Sequence, residues 1–289
     1  MLRRRAVSLL LGAAVGIEAE RTASLERFLD PRRGSALLLD IRSHKLIATN
    51  SADVAGHTLL PPGSTLKPFV LAALLRRGSL RADTSFVCPA KLAIGKRSFD
   101  CSHPRLVTPM RADTALAYSC NCFVAHAAEQ FRPTELAGEL KRLGFAARTG
   151  LTDSREISGR IDNAGTPDQV RMQALGEEGI LTTPLALASA YRQLALKLDL
   201  PEMQPILQGL EGAVDFGTAQ RARVAGVRVA AKTGSTLSPA GDFIAWFAGF
   251  MPSRAPEVVV TVMLPGHSGG SDAAPIAGEI LEAYRAKRL

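Results

Sequence analysis

The stretch that decides the fold reads Pro62-Gly63-Ser64-Thr65-Leu66-Lys67-Pro68, and it opens an apolar helical pattern that runs to Leu75. The preceding prolines and Gly63 place Ser64 at or near the helix N-terminus, where the helix dipole favours a developing alkoxide. Ser64 and Lys67 are three residues apart and therefore share one helix face. A serine hydroxyl is a weak nucleophile until a base takes its proton. Lys67 can be that base if burial or a nearby cation lowers its pKa.

A second polar segment, Ser119-Cys120-Asn121, could supply further groups to the same site. The Ser119 hydroxyl could relay a proton between Lys67 and a leaving group. The Asn121 amide could orient a substrate amide or hold Lys67 in place. Taken alone, this segment fits a polar turn between two helices equally well. In the same way, Ser64 alone could be a helix N-cap and Lys67 alone a solvated lysine.

A third segment, Lys232-Thr233-Gly234-Ser235, follows an apolar strand pattern. In a strand, Lys232 and Gly234 lie on one side and Thr233 on the other. Lys232 would supply the second cation that lowers the pKa of Lys67. Gly234 leaves room for close approach of a substrate backbone or a side chain, and Thr233 and Ser235 could bind a carboxylate. The order and context of the three segments favour one catalytic site over three unrelated features.

With these segments the chain resembles the transpeptidase domain of penicillin-binding proteins, in the wider group that includes serine β-lactamases. The resemblance runs from about Ser35 to the C-terminus and includes residues 176–184 and Ala245-Trp246-Phe247-Ala248-Gly249-Phe250. It implies that Ser64 attacks a D-Ala-D-Ala-like carbonyl and forms an acyl-enzyme while Lys67 accepts its proton. It also implies that Ser119 protonates the leaving amine and that Asn121 binds the substrate amide.

The resemblance assigns the remaining polar groups to substrate binding. Lys232 and Thr233 would engage the substrate carboxylate beside Gly234. The backbone N–H groups of Ser64 and Ser235 would form an oxyanion hole, in which each donor contributes roughly a few kcal/mol in related acyl transfers. This chemistry needs no cofactor and no metal ion.

Two departures from the family pattern bear on function. The middle motif is Ser-Cys-Asn in place of Ser-Asp-Asn, which favours a penicillin-binding protein over one class of β-lactamases. Residues 176–179 read Gly-Glu-Glu-Gly where penicillin-binding proteins tend to carry Gly-Gln-Gly. Glu177 could therefore activate water at an acyl-enzyme. We expect instead a solvated glutamate pair, Glu177 and Glu178, ahead of the helix start at Thr183-Pro184.

Composition limits the function classes. The 289 residues are 46% apolar and 21% charged, which is typical of a globular protein. The net charge of +8 is scattered apart from Arg3 to Arg5, and aromatic residues make up only 5%. The charge is compatible with an anionic polymer or membrane surface. Because no basic stripe interleaves with aromatic residues, nucleic acid is not an expected partner.

The N-terminus has the pattern of a secretory signal peptide. Arg3 to Arg5 precede an apolar run from Ala6 to Ile17, and Ala19 can precede a cleavage point. We predict a signal peptide at 1–19, no integral membrane span after cleavage, and a periplasmic or extracytoplasmic catalytic domain at 20–289. The alternative is an uncleaved short anchor. Without room for further synthase modules, we expect a stand-alone catalytic domain.

Four cysteines lie in the first half of the chain: Cys88, Cys101, Cys120 and Cys122. Export permits disulfides, and Cys88 with Cys101 is the expected pair. A single residue separates Cys120 from Cys122, which does not suit a bond between them. Metal binding is disfavoured because neither pair has the two-residue gap of a zinc knuckle. None of the five histidines is needed for the proposed acyl transfer, and a packing role is expected for His126.

Element patterns predict an α/β (α+β) fold, an antiparallel sheet flanked by helices plus a mostly helical lobe. A helix is expected at 22–29 and a hairpin from strands 35–40 and 45–49. Helices dominate 109–198, and strands are expected at 227–233, 243–251 and 257–264 before a helix at 272–287. The sheet lobe would comprise 20–60 and 220–289, and the helical lobe 61–219, with a site in the cleft between them.

Three functions follow from the resemblance. The first is a secreted serine D,D-transpeptidase or D,D-carboxypeptidase that acts on peptidoglycan stem peptides and binds β-lactams. The second is a serine β-lactamase, and the third is a penicillin-recognising sensor that turns over no peptide. The expected partners are peptidoglycan peptides, β-lactams and other cell-wall synthesis proteins.

Overall fold

The computed structural model describes residues 22–105, 108–152 and 156–289, so the expected signal peptide lies outside the described residues. The strands are β1 Ala23–Ser24, β2 Ser35–Asp40, β3 Leu46–Thr49, β4 Ala93–Ile94, β5 Arg97–Ser98, β6 Arg160–Ile161, β7 Ile180–Leu181, β8 Ala230–Leu237, β9 Phe243–Met251 and β10 Val258–Pro265. The α-helices are α1 Ala52–His57, α2 Lys67–Arg76, α3 Ala112–Ala117, α4 Asn121–Ala128, α5 Glu135–Arg142, α6 Pro167–Ala174, α7 Pro184–Ala195, α8 Gln204–Asp215 and α9 Ala274–Arg285.

Six strands form one sheet in the order β1-β3-β2-β10-β9-β8. All neighbours are antiparallel except β1 and β3, which run parallel. The predicted hairpin is β2–β3, and β10 joins it to the C-terminal strands by pairing with β2. The early and late parts of the chain therefore complete a single sheet, as expected for an α/β chain of this pattern.

Both faces of the sheet are covered, which explains why β2 is apolar without alternation. Leu37 and Leu39 belong to a core shared with α7 and the helical lobe, whereas Ala36 and Leu38 belong to a second core under α9. A strand that is buried on both faces has no polar side to show in its sequence.

The helical lobe is built around α2. Its residues from Lys67 to Leu75 are all buried, as expected of a helix that is apolar on every side. Phe69 packs edge-on against Phe145 and Tyr191, with ring centroids 5.0 and 5.2 Å apart. The helix that follows the Ser64 turn is thus held firmly inside the lobe. Within the described residues, no helix combines the length and the apolar character that crossing a membrane requires.

Three predicted boundaries were wrong. The helix expected at 22–29 does not form, because Ala23–Ser24 pairs with β3 and the Leu25 N–H donates to the Thr49 carbonyl at 3.0 Å. A helix that short is marginal, so edge pairing outweighs it. The strand expected at 227–233 is Ala230–Leu237, since Val227 bridges back to Val224. The closing helix starts at Ala274, after a single π-helical turn at Gly269–Ala273.

Candidate active site

A cavity of about 420 Å³ opens between β8 and the helical lobe. Five residues expected at the site line it: Ser64, Ser119, Asn121, Thr233 and Ser235. Lys67 and Lys232 are fully buried behind its wall. The structure therefore brings the three polar segments to one place from distant parts of the chain.

Ser64 lies in a short 3-10 turn, Gly63–Leu66, that runs directly into α2. Gly63 has a φ of +54° and its N–H donates to the Gly176 carbonyl at 2.9 Å. A Cβ on Gly176 would come within 2.2 Å of the Gly63 carbonyl oxygen. The Ser64 turn thus packs against the main chain of Gly176, where a side chain has no room, and the positive φ of Gly63 is one that glycine adopts without strain.

Lys67 makes the contacts that define the site. Its Nζ donates to the Ser119 carbonyl at 2.7 Å, to Ser119 Oγ at 3.3 Å and to Asn121 Oδ1 at 2.5 Å. Burial lowers the pKa of Lys67 to about 8, although nearby acidic groups, among them Glu177, oppose that shift. A buried amine with a lowered pKa that touches a second hydroxyl has the character of a general base.

Ser119 adopts a left-handed backbone, with a φ of +59°, in the turn between α3 and α4. A non-glycine residue in this conformation carries backbone strain and is over-represented at functional sites. The conformation lets the Ser119 carbonyl and hydroxyl both face Lys67. Asn121 is fixed from the other side, because its Nδ2 donates to the Phe99 carbonyl at 2.9 Å.

The Lys232–Ser235 segment lies inside β8, not at its end. Lys232 Nζ donates to the Thr233 carbonyl at 2.9 Å, and burial together with repulsion from Lys67 lowers the pKa of Lys232 well below its usual range. The sequence-based expectation was the reverse, a lowering of the Lys67 pKa by Lys232, whereas burial is what lowers the pKa of Lys67. Ser235 Oγ accepts the Gly269 N–H at 3.1 Å. A Cβ on Gly234 would lie 2.8 Å from the Pro62 carbonyl oxygen, so the chain just before Ser64 occupies the space that glycine leaves.

Glu177 is not solvated, which corrects the expectation for the glutamate pair. Its side chain is only 12% exposed, whereas that of Glu178 is 59% exposed. Glu177 Oε2 accepts from Arg97 at 3.0 Å and from Thr236 Oγ1 at 3.4 Å. Burial raises the pKa of Glu177, and Arg97 opposes that rise. Gly176 and Gly179 have positive φ angles, and the turn between them directs Glu177 into the cavity wall.

The cysteines are arranged differently from the sequence-based expectation. Cys88 and Cys101 are thiols with their sulfur atoms 3.7 Å apart, not a disulfide. Cys120 and Cys122 join them in one cluster, and His103 lies beside it. The expectation of no metal site rested on spacing along the chain, whereas the fold brings the two pairs together.

Other side chains lie where packing places them. His126 stacks on Phe86 with ring centroids 4.9 Å apart, which fits its expected packing role. Tyr118 lines the cavity and Trp246 is fully buried in the core.

Sequence reasoning missed three residues at the site. Thr218 lines the cavity and accepts a hydrogen bond from Thr233 Oγ1 at 2.7 Å. Phe99 supplies the carbonyl that holds Asn121, and Arg97 pairs with Glu177. No motif marks these positions. The only local signal is Gly217, where a Cβ would come within 2.0 Å of the Ala117 carbonyl oxygen.

Comparisons with known proteins agree on one family. The family model of the penicillin-binding protein transpeptidase domain matches residues 28–282. Over 298 residues the chain is 24% identical to peptidoglycan D,D-transpeptidase FtsI of Escherichia coli (strain K12), covering 86% of this chain and 50% of that protein. It is 25% identical over 300 residues to the Pseudomonas aeruginosa protein named probable peptidoglycan D,D-transpeptidase PbpC, with coverage of 86% and 53%. The chain therefore spans about half the length of these relatives.

Solved structures share the fold. The crystal structure of Pseudomonas aeruginosa PBP2 in complex with WCK 5153 superposes with a TM-score of 0.79 at 20% identity, covering 90% of this chain and 72% of that one. A chain from a peptidoglycan synthase complex superposes with a TM-score of 0.75 at 22% identity, covering 87% of this chain and 56% of that one.

Proposed function

The chain belongs to the penicillin-binding protein transpeptidase family, and from this premise we propose that it is a serine D,D-transpeptidase or D,D-carboxypeptidase acting on peptidoglycan stem peptides. The observation that carries the proposal is the set of contacts from Lys67 to Ser119 and Asn121, at a cavity that Ser64 also lines. These contacts lie beside the cavity that Ser64 lines, and they support the proposed roles of Ser64 as nucleophile, Lys67 as base and Ser119 as second hydroxyl.

In the proposed acylation, the Ser64 hydroxyl oxygen attacks the carbonyl carbon of a D-Ala-D-Ala-like bond and its proton passes to neutral Lys67. With a pKa of about 8, about a tenth of Lys67 is neutral at pH 7. The tetrahedral intermediate collapses as its C–N bond breaks, Ser119 delivers its proton to the departing amine, and Ser119 takes the proton held by Lys67 in its place. An acceptor amine, or water, then attacks the ester carbonyl and Ser64 leaves as its alcohol.

The walls of the cavity support the proposed substrate contacts. Lys232 and Thr233 would engage the terminal carboxylate on the β8 side, and Asn121 would hold the peptide amide on the helical side. The backbone N–H groups of Ser64 and Ser235 would bind the oxyanion. Thr218 holds Thr233 by a direct hydrogen bond and therefore acts as a positioning residue.

The decisive experiment follows the Ser64 adduct. The purified protein is incubated with a labelled penicillin, and the adduct is followed by intact mass and peptide mapping. We expect one adduct, located on Ser64 and absent from Ser64→Ala. Ser102→Ala, which changes an exposed serine at the rim of the same cavity, should acylate like wild type. An adduct that persists in Ser64→Ala would overturn the assignment. A D-Ala-D-Ala peptide assay then separates an enzyme from a sensor, which would acylate without cleaving peptide.

Glu177 favours a second candidate function, a β-lactamase. A buried carboxylate with a raised pKa in the cavity wall is placed to activate the water that attacks an acyl-enzyme. Decay of the penicillin adduct in wild type and Glu177→Gln tests this role, with Glu178→Gln as the exposed control. Slower decay in Glu177→Gln alone would support hydrolysis as a function, and equal decay in all three proteins would exclude it.

Export and assembly form the last part of the proposal. We propose that residues 1–19 are a cleaved signal peptide, that 20–289 form an extracytoplasmic catalytic domain, and that other cell-wall synthesis proteins bind it. The N-terminal sequence of the protein recovered from the envelope fraction tests the first point: a start near Glu20 supports cleavage, and an intact Met1 rejects it.

A further inference from the structure

A cluster of side chains that could hold a metal ion adjoins the Ser119–Asn121 wall, and one of its members, Cys101, lines the cavity. Its four sulfur atoms come close in pairs: Cys88 with Cys101 at 3.7 Å, Cys101 with Cys120 at 3.7 Å, Cys101 with Cys122 at 3.5 Å, and Cys88 with Cys120 at 3.5 Å. His103 adds a fifth donor, because one ligand atom each from Cys88, Cys101, His103 and Cys120 lie within 4.8 Å of one another.

The distances match those between ligands of one metal ion. A tetrahedral zinc ion with Zn–S bonds of about 2.3 Å separates its sulfur ligands by about 3.8 Å. A disulfide needs its sulfur atoms about 2.05 Å apart. The sulfur–sulfur separations of 3.5 to 3.7 Å therefore correspond to edges of a tetrahedron around a central ion.

His103 has the hydrogen bonding of a metal ligand. Its Nδ1 lies 2.9 Å from the Pro104 carbonyl oxygen, and this acceptor assigns the ring proton to Nδ1. Its Nε2 is buried and has no hydrogen-bond partner among the described residues. A neutral imidazole that donates from one nitrogen to a carbonyl and leaves the other free is typical of zinc-bound histidine. The buried nitrogen is thus an independent sign of a missing partner.

We propose that this cluster binds one Zn²⁺ ion, with Cys88, Cys101 and Cys120 as thiolate ligands and His103 or Cys122 in the fourth position. Each cysteine ligand loses its thiol proton to solvent when its sulfur–zinc bond forms, and no electron is transferred. Thiolate and imidazole ligands in this number are those of structural zinc sites.

The position of the cluster gives the metal a structural purpose. Cys88 and Cys101 flank the β4–β5 hairpin, while Cys120 and Cys122 flank Asn121 at the start of α4. A shared ion would tie the hairpin to the turn that holds Lys67. Phe99 directly follows β5 of the same hairpin, and its carbonyl accepts a hydrogen bond from Asn121. The zinc ion would therefore position the helical wall of the site.

The test measures metal directly on the full chain. Protein purified under reducing conditions and passed through a desalting column should carry one equivalent of zinc by elemental mass spectrometry. Replacing zinc with Co²⁺ should give the intense visible bands and the thiolate charge-transfer band of a tetrahedral sulfur site. Removing the metal with a chelator should lower the melting temperature, and added Zn²⁺ should restore it.

Variants assign the ligands. Cys88→Ser and Cys101→Ser should lose bound zinc, whereas His126→Gln, a histidine outside the cluster, should keep it. Whichever of His103→Gln and Cys122→Ser also loses zinc identifies the fourth ligand. If a cysteine variant fails to fold, the cobalt spectrum and chelator response of wild type still decide the question. Wild-type protein that binds no zinc when reduced would overturn the proposal. So would a native mass that is lower by two hydrogens for each of two disulfides.

Discussion

The two walls of the cavity are held in place by different means. On the sheet side, main-chain pairing with β9 fixes the Lys232–Ser235 segment, with Lys232 opposite Ala248 and Ser235 opposite Ala245. On the helical side, the Ser119–Asn121 turn depends on side-chain contacts from remote parts of the chain, chiefly Lys67. The sheet wall should therefore be sensitive to added volume, and the helical wall to lost contacts.

The largest effect is expected where the helical wall loses its central contact. Lys67→Ala removes the proposed base, which is also the one side chain among the described residues that donates to both Ser119 and Asn121. The second-order rate of acylation by a labelled penicillin should fall roughly 10²- to 10⁴-fold, the usual contribution of a general base. Lys141→Ala, which removes an exposed lysine in α5, should acylate normally. Near-wild-type acylation by Lys67→Ala would mean that another group is the base.

Adding volume to the sheet wall should have the next largest effect. Gly234→Ala puts a methyl group 2.8 Å from the Pro62 carbonyl oxygen and 3.0 Å from Thr65 Cγ2, so the turn that carries Ser64, the proposed nucleophile, must move. Displacement of a nucleophile by a fraction of an ångström to one ångström costs up to roughly 100-fold in rate. Gly138→Ala is the matched control, because nothing lies within 4 Å of its new methyl group. Equal acylation rates for the two variants would show that the contact relaxes without cost.

To compare the two walls directly, one variant for each wall removes a single hydrogen bond. Asn121→Ala loses a bond to the Lys67 ammonium, worth about 1.5–3 kcal/mol, and should acylate roughly tenfold or more slowly. Thr218→Val loses a neutral bond from Thr233, worth about 0.5–1.5 kcal/mol, and should acylate a few-fold more slowly. Asn163→Ala, at an exposed asparagine, controls for the amide deletion. A larger loss in Thr218→Val would reverse the ranking of the two walls.

The smallest expected effect is a change in how the acylation rate depends on pH. If Lys67 is the base, as proposed, its neutral form is the reactive one, so the acylation rate should rise with pH and level off above the Lys67 pKa of about 8. The negative charge of Glu177 favours the ammonium form and raises the pKa of Lys67. Glu177→Gln should therefore shift the midpoint of the pH profile to lower pH. A shift to higher pH, or a flat profile, would contradict Lys67 as the base.

The same contrast explains what the sequence could predict. The hairpin and the late strands follow from apolar runs, and the pattern around Lys232 places its segment in a strand. Ser64 and Lys67 lie within one turn, so their spacing alone puts them on one face. The left-handed backbone of Ser119 and the bond from Thr233 to Thr218 leave no local pattern, because they depend on contacts between distant segments. The burial of Glu177 and the grouping of the cysteines were mispredicted for the same reason.

The pairing of β2 with β10 in the middle of the sheet matters while the chain is being synthesised. β2 is made early and pairs with β10, which is among the last segments to leave the ribosome. Until then the hairpin presents an open apolar edge, with Leu38 lacking its cover from α9. Such an edge is prone to bind other chains. A nascent chain that stops before Val258 would therefore leave this edge of β2 without its partner strand.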